Sequence, residues 1–250
     1  MPMNHPLIAI TTDLCTRNER PTARVTTAYA DRVRAAGGQP VLLAPPTGSA
    51  PDHAAADALV ARFDGFVLTG GDDPRTEPFG TPSHPGITPV FAERQAFESA
   101  LLESIARTRP EAPLFGICLG LQMMVLHAGG SLFQFMPESH PHSHQDHWAS
   151  EHEILPETTA MGPGLALSGV SHSHHKQAVD SPGRLAVLAR APDGVIEAAG
   201  DPDRPFHLGV QWHPERTENH GLGQRLFEEF VRAASDQTRR SPESRTPSVR

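Results

Sequence analysis

Apolar and polar positions alternate along the chain in two rhythms. Leu7–Thr12 is a short unbroken apolar run of the kind that forms a buried strand. Thr22 can cap a following helix, in which Val25, Tyr29, Val33 and Ala36 fall on one face before Gly37-Gly38 ends it. The pattern then repeats. Strands are predicted at Pro40–Pro45, Gly65–Thr69 and Pro113–Ile117, with helices at Asp52–Phe63, Phe91–Arg107 and Leu119–Ala128. Four rounds of strand then helix predict an α/β fold with a doubly wound, mostly parallel sheet. Past Ser131 short strand-like runs take over at 131–135, 151–155, 185–190, 194–198 and 206–212. Pro192-Asp193-Gly194 marks a hairpin between two of them, so antiparallel strands are added in the C-terminal half. A last amphipathic helix carries Leu222, Leu226, Phe227, Phe230 and Val231. Residues 1–234 read as a single domain, and 235–250, polar and without core formers, as a disordered tail.

Composition narrows the function. With 250 residues, 38% of them hydrophobic, the chain can bury a full core without staples. Acidic residues outnumber Lys and Arg by 29 to 21, a net charge of −8, which argues against nucleic acid and against an anionic membrane surface as partner. No apolar stretch is long enough to span a bilayer, and no signal-peptide pattern opens the chain. A small-molecule substrate and a cytoplasmic location are therefore expected. Two cysteines make no disulfide framework, which leaves room for one of them to be reactive.

Cys118 is the candidate. Gly116-Ile117-Cys118-Leu119-Gly120 places a thiol between a buried strand and a helix, the thiol form of a nucleophile elbow. The flanking glycines let backbone crowd around the turn. The free N–H groups of the helix start favour thiolate and can hold an oxyanion. Cys15 has no such setting and reads as structural. A thiolate needs a base, and the base needs an orienting group. Phe206–Trp212 reads as a strand that delivers His213 at its carboxyl end, Pro214 stops it, and Glu215 can fix the imidazole tautomer.

These two segments, Gly116–Gln122 and Gly209–Glu215, resemble the signature segments of class I glutamine amidotransferase domains. Leu68-Thr69-Gly70-Gly71, Glu93–Glu98, Gly129–Gln134, Ser173–Gln177 and Ala191–Ala198 are similar to the branch of gamma-glutamyl-gamma-aminobutyrate hydrolase-like enzymes (peptidase C26-like). The resemblance runs from about Leu7 to Val231. It implies a flavodoxin-like glutamine amidotransferase fold and hydrolysis of a γ-glutamyl amide through a thioester on Cys118, with His213 as base then acid and Glu215 orienting it. It also implies an oxyanion hole from the backbone N–H groups of Gly71 and Leu119, and substrate contacts from Gln122, His172, Ser173 and His174. No cofactor is implied. The sequence departs from the branch at Leu119, where Arg is frequent, at His172-Ser173, where Asn-Ser is usual, and at Gln95, where Asp is common.

Two alternatives stay open. One is a glutaminase subunit passing ammonia to a synthetase partner; the other is a non-catalytic or metal-binding protein on the same fold. A homodimer is compatible with either. His140, His142, His144, His147 and His152 form one imidazole cluster, and His172, His174 and His175 another. Their spacing matches no closed metal site, so the expectation is a polar loop over the active site with no metal. Lys176 is read as solvated, Asp72-Asp73 as turn residues, and Met123-Met124 as core.

Overall fold

The computed structural model describes residues 5–48, 52–157 and 165–240. The chain runs β1 (Leu7–Thr11), β2 (Asp13–Arg17), β3 (Arg20–Arg24), α1 (Thr27–Ala35), β4 (Gln39–Leu43), α2 (His53–Val60) and β5 (Gly65–Leu68). It continues through α3 (Ala92–Thr108), β6 (Leu114–Ile117), α4 (Leu119–His127), β7 (Ser131–Phe133) and the short α5 (Met136–Ser139). Then follow β8 (Ser150–Pro156), β9 (Gly169–Ser173), β10 (Ala178–Ser181), β11 (Ala186–Arg190), β12 (Ile196–Gly200), β13 (His207–Val210) and α6 (Gln224–Arg240).

One large sheet has the order β4-β1-β5-β6-β13-β12-β11-β8-β9. The first five strands are parallel neighbours, and β12, β11, β8 and β9 continue the sheet antiparallel. This is the expected α/β architecture of glutamine amidotransferase type. Both faces of the parallel part are covered, which is why its strands read as continuous apolar runs rather than alternating ones. Ile8, Ile10, Phe115 and Ile117 pack on one face with Val33 of α1 and Phe227 and Phe230 of α6. Ala9, Phe66, Leu68 and Leu114 face the other way, onto Val60, Leu101 and Met123 from α2, α3 and α4. Met123 and Met124 are buried there, as expected. No helix among the described residues is long and apolar enough to cross a membrane.

Three expectations need correction. Thr22 caps no helix: it lies in β3, which pairs with β2 in a two-stranded hairpin, and α1 starts after Thr26. The hairpin turns on Asn18 and Glu19, both at positive φ (49° and 60°), so a mirror-image turn forms without the Asn-Gly pair that would have announced it. β9 and β10 were not expected, because Gly169–Ser173 is mostly polar and Ala178–Ser181 too short to show a period. The final helix runs on to Arg240, past the boundary drawn at Ser235. Ala233 and Ala234 extend its buried face, and Gln237 Nε2 donates to the Glu111 carbonyl over 3.3 Å. The rest of the expected tail, 241–250, lies outside the described residues.

Candidate active site

β6 and β13 are parallel neighbours in register, with Val210 beside Ile117. Cys118 follows β6 directly, and its N–H donates to the Val210 carbonyl over 2.8 Å. Residues leaving β13 therefore emerge next to the sulfur. Gln211 comes first, with Nε2 3.6 Å from Cys118 Sγ, and His213 follows. The sequence separation of 118 and 213 is thus closed by one strand pairing.

The elbow is tight. Cys118 sits at φ 52°, ψ −103°, outside the regions a non-glycine residue normally adopts, at a cost of about 1–3 kcal/mol. It is the residue before α4, so the Leu119 amide is the first N–H of that helix and has no partner within it. The residue is 5% exposed, and it lines a cleft of about 420 Å³. Gly71, His174 and His213 line the same cleft.

His213 Nδ1 lies 2.8 Å from Glu215 Oε1, which leaves Nε2 for the sulfur. Burial works against the protonated ring. Hydrogen bonding and charge from Cys118 and Glu215 outweigh it and lift the imidazole to about 10. Burial likewise works against the Glu215 carboxylate, but its bond to His213 holds it below the usual range. The turn is fixed from outside. The His213 N–H donates to the His172 carbonyl (2.9 Å), and Arg32 of α1 donates to the carbonyls of Glu215 and Thr217.

Not all of the expected substrate contacts reach the cleft. His174 does. His172 offers its backbone to His213, and the two rings stand 6.3 Å apart. Gln122 and Ser173 are buried, with their polar atoms committed inside the protein. Gln122 Nε2 donates to Gln211 Oε1 (3.3 Å) and Ser173 Oγ to the His147 carbonyl (3.2 Å). Gln122 therefore steadies the amide that touches the sulfur, one step behind the cleft. Lys176 is not simply solvated, since its Nζ sits 4.3 Å above the Trp148 ring. Asp73 is held by a long-range contact rather than a local turn: it bridges to Pro89, and its Oδ2 accepts from the Thr88 N–H over 2.8 Å.

Two residues to which the sequence assigned no role in the site shape it. Tyr29 lines the cleft and accepts from the Gly70 N–H (3.1 Å); burial, with Glu215's charge nearby, raises its phenol well above the usual value. Arg94, fully buried on α3, donates to the carbonyls of Thr69 (2.8 Å) and Gly70 (3.1 Å). It is paired with Glu98 one helical turn on and with Asp13, both at 3.1 Å. Together they pin the Gly70-Gly71 loop opposite the elbow. The i,i+4 spacing of Arg94 and Glu98 on a helix with an apolar face was the available signal. Asp13, Arg24, Asp72 and Arg216 add charges of both signs to the cleft wall.

The comparisons agree with this architecture. A relative from Mycobacterium tuberculosis, carrying a provisional glutamine amidotransferase name, is 36% identical over 212 residues, 83% of this chain and 66% of its own length. The gamma-glutamyl-gamma-aminobutyrate hydrolase of Escherichia coli O157:H7 is 30% identical over 263 residues, covering 92% of this chain and 94% of that one. A solved Thermoplasma acidophilum structure, provisionally described as belonging to a GMP synthase, shares the fold at TM-score 0.64 and 17% identity over 96% of this chain and all of its own. The peptidase C26 model matches residues 6–215, from the approach to β1 through the carboxylate that holds the imidazole, and the chain belongs to that family, within the class I glutamine amidotransferase-like group.

Proposed function

We propose that the protein hydrolyses the amide bond of γ-glutamyl compounds through a γ-glutamyl thioester on Cys118. The observation that carries this reading is the convergence of the Cys118 elbow and the His213–Glu215 pair at one carboxyl edge of the sheet. The sulfur attacks the γ-carbonyl carbon, a C–S bond forms, and the carbonyl oxygen becomes an oxyanion. The N–H groups of Gly71, which lines the cleft, and of Leu119, the first of α4, would receive it. His213, protonated, gives its proton to the departing nitrogen as the C–N bond breaks. Water then attacks the thioester, His213 takes its proton, and glutamate leaves as the thiolate is restored. Glu215 keeps Nδ1 protonated and Nε2 directed at the chemistry. Arg24 and Arg216 suit the glutamyl α-carboxylate, and Asp72 and Asp13 its ammonium. The Escherichia coli relative supports γ-glutamyl-γ-aminobutyrate as one candidate substrate.

The test is glutamate release by the purified chain from a set of γ-glutamyl amides and from glutamine. The expected result is release from at least one amide without any partner, lost on the order of 10⁴-fold or more in Cys118→Ala. A second reading, a glutaminase that feeds a synthetase, is favoured by the relatives with amidotransferase and synthase names. It predicts glutamate release from glutamine only when a synthetase is present. No release from any amide by the chain alone, and none from glutamine even with a synthetase added, would refute both.

A further inference from the structure

Away from the cleft, the fold gathers four side chains from three separate stretches of the chain. His147 comes from the 3₁₀ turn before β8, His152 from β8, His175 from the β9–β10 connection and Glu197 from β12. Glu197 Oε1 lies 3.1 Å from His147 Nδ1, 3.4 Å from His175 Nε2 and 3.5 Å from His152 Nε2. One ligand atom from each residue lies within 4.8 Å of all the others. Glu197 is fully buried, and the three imidazoles are nearly so, the most open being His152 at 8% side-chain exposure.

Two features point to a cation between them. First, despite the short separations, these three ring nitrogens and both Glu197 oxygens are buried without an aligned hydrogen bond. They converge on a common point rather than on one another. Tetrahedral zinc with bonds of about 2.0–2.1 Å puts its ligand atoms about 3.3 Å apart, close to the 3.1, 3.4 and 3.5 Å between Glu197 Oε1 and the three imidazoles. Second, the outward nitrogens are already spoken for. His175 Nδ1 lies 2.8 Å from the Gln177 carbonyl, His152 Nδ1 3.1 Å from the Glu153 carbonyl, and His147 Nε2 3.0 Å from Asp193 Oδ2. A carbonyl only accepts, so the outward nitrogens of His152 and His175 carry the protons. A neutral ring then turns a lone pair inward, toward a carboxylate. An inward set of lone pairs around a negative charge calls for a cation. The outer set of carbonyls and a carboxylate is the support that metal-bound imidazoles use.

We propose that His147, His152, His175 and Glu197 bind one tetrahedral divalent metal ion of the zinc class. With four protein ligands the site is closed, so the ion is structural. It ties the 144–148 segment to β8, to the end of β9 and to β12. Trp148, next to His147, stacks on His174 at 4.0 Å between centroids, and His174 lines the cleft. The ion thus braces one wall of the cleft while standing apart from its chemistry. The expectation of no metal followed from spacing along the chain, which does not see that Glu197 and His175 arrive from other strands.

The test is binding of the metal alone to the full chain. Protein stripped with a chelator is titrated with Zn²⁺, followed by thermal unfolding, and with Co²⁺, followed by visible absorption. The expected result is one ion per chain, a raised Tm with Zn²⁺, and the strong visible bands of four-coordinate cobalt. His152→Ala, at the rim of the cluster, loses stoichiometric binding, and Asp193→Asn weakens it about 10- to 100-fold. His142→Ala, an exposed imidazole outside the cluster, leaves it unchanged. Folded wild-type chain that binds neither ion, or equal binding by the His152 and His142 variants, overturns the proposal. None of these readouts depends on turnover.

Discussion

Gly120, on the first turn of α4, rests against the carbonyl oxygen of Leu68 at the end of β5. A Cβ at Gly120 would collide with that oxygen, and one at Gly116 would come within 2.7 Å of the Gly120 backbone and 2.5 Å of Met124 Sδ. The elbow that raises Cys118 therefore depends on two missing side chains, because strand, turn and helix start cross at backbone contact.

Gly120→Ala is expected to cost about 1–3 kcal/mol, as other overpacked sites do, and to reduce turnover further by shifting the sulfur. Urea unfolding together with kcat on the same preparation checks this. A fully stable and fully active variant would show that the contact has slack.

Glu215→Gln is expected to lower kcat by about 10²- to 10⁴-fold with KM little changed, since the carboxylate acts on the imidazole and its protonation. Steady-state kinetics on a responsive γ-glutamyl amide gives the split. A large rise in KM with normal kcat would move Glu215 to substrate binding.

Arg94→Met leaves the Glu98 carboxylate buried beside no cation, at a cost of about 3–5 kcal/mol. Adding Glu98→Met is expected to recover much of the stability. Turnover should stay low even so, because the guanidinium's bonds to the Thr69 and Gly70 carbonyls are still missing. Unfolding curves and kcat for the single and double variants separate the two effects. Full recovery of turnover in the double variant would deny Arg94 its hold on the loop.

Most of the parallel sheet could be read from the chain because its strands are buried on both faces and its helices cover them, so apolar runs and helical periods alternate without ambiguity. Cys118, His213 and Glu215 were legible for a similar reason: each sits at the end of such a run, flanked by glycine or proline. The i,i+4 pair Arg94–Glu98 could be read, but the hold of Arg94 and Tyr29 on the backbone of Thr69 and Gly70 could not, because no side-chain pattern reports a backbone partner. The inward placement of Gln122 and Ser173 was hidden too, since a polar residue beside a motif reads the same whether it meets substrate or a neighbour's carbonyl. The β2–β3 hairpin escaped because Asn18-Glu19 takes a conformation that usually advertises itself with glycine.

His207 sets an acid limit on stability. It is buried with Nδ1 unpaired, and burial, reinforced by Arg204's charge, holds its pKa down to about 4 against 6.5 for a free imidazole. The unfolded chain takes up this proton first, so stability from this group is present above pH 6.5 and is lost as the pH falls toward about 4. His207→Leu is expected to flatten that decline. Denaturant midpoints across this range check it, and parallel curves for both proteins would assign the acid sensitivity elsewhere.

The most direct test of the mechanism is acid quenching during turnover of a γ-glutamyl amide, followed by mass spectrometry of the digested chain. The account predicts a γ-glutamyl adduct on the peptide containing Cys118, and no adduct on Cys15 or in Cys118→Ala. Sustained turnover by Cys118→Ala, or an adduct on another residue, would contradict it.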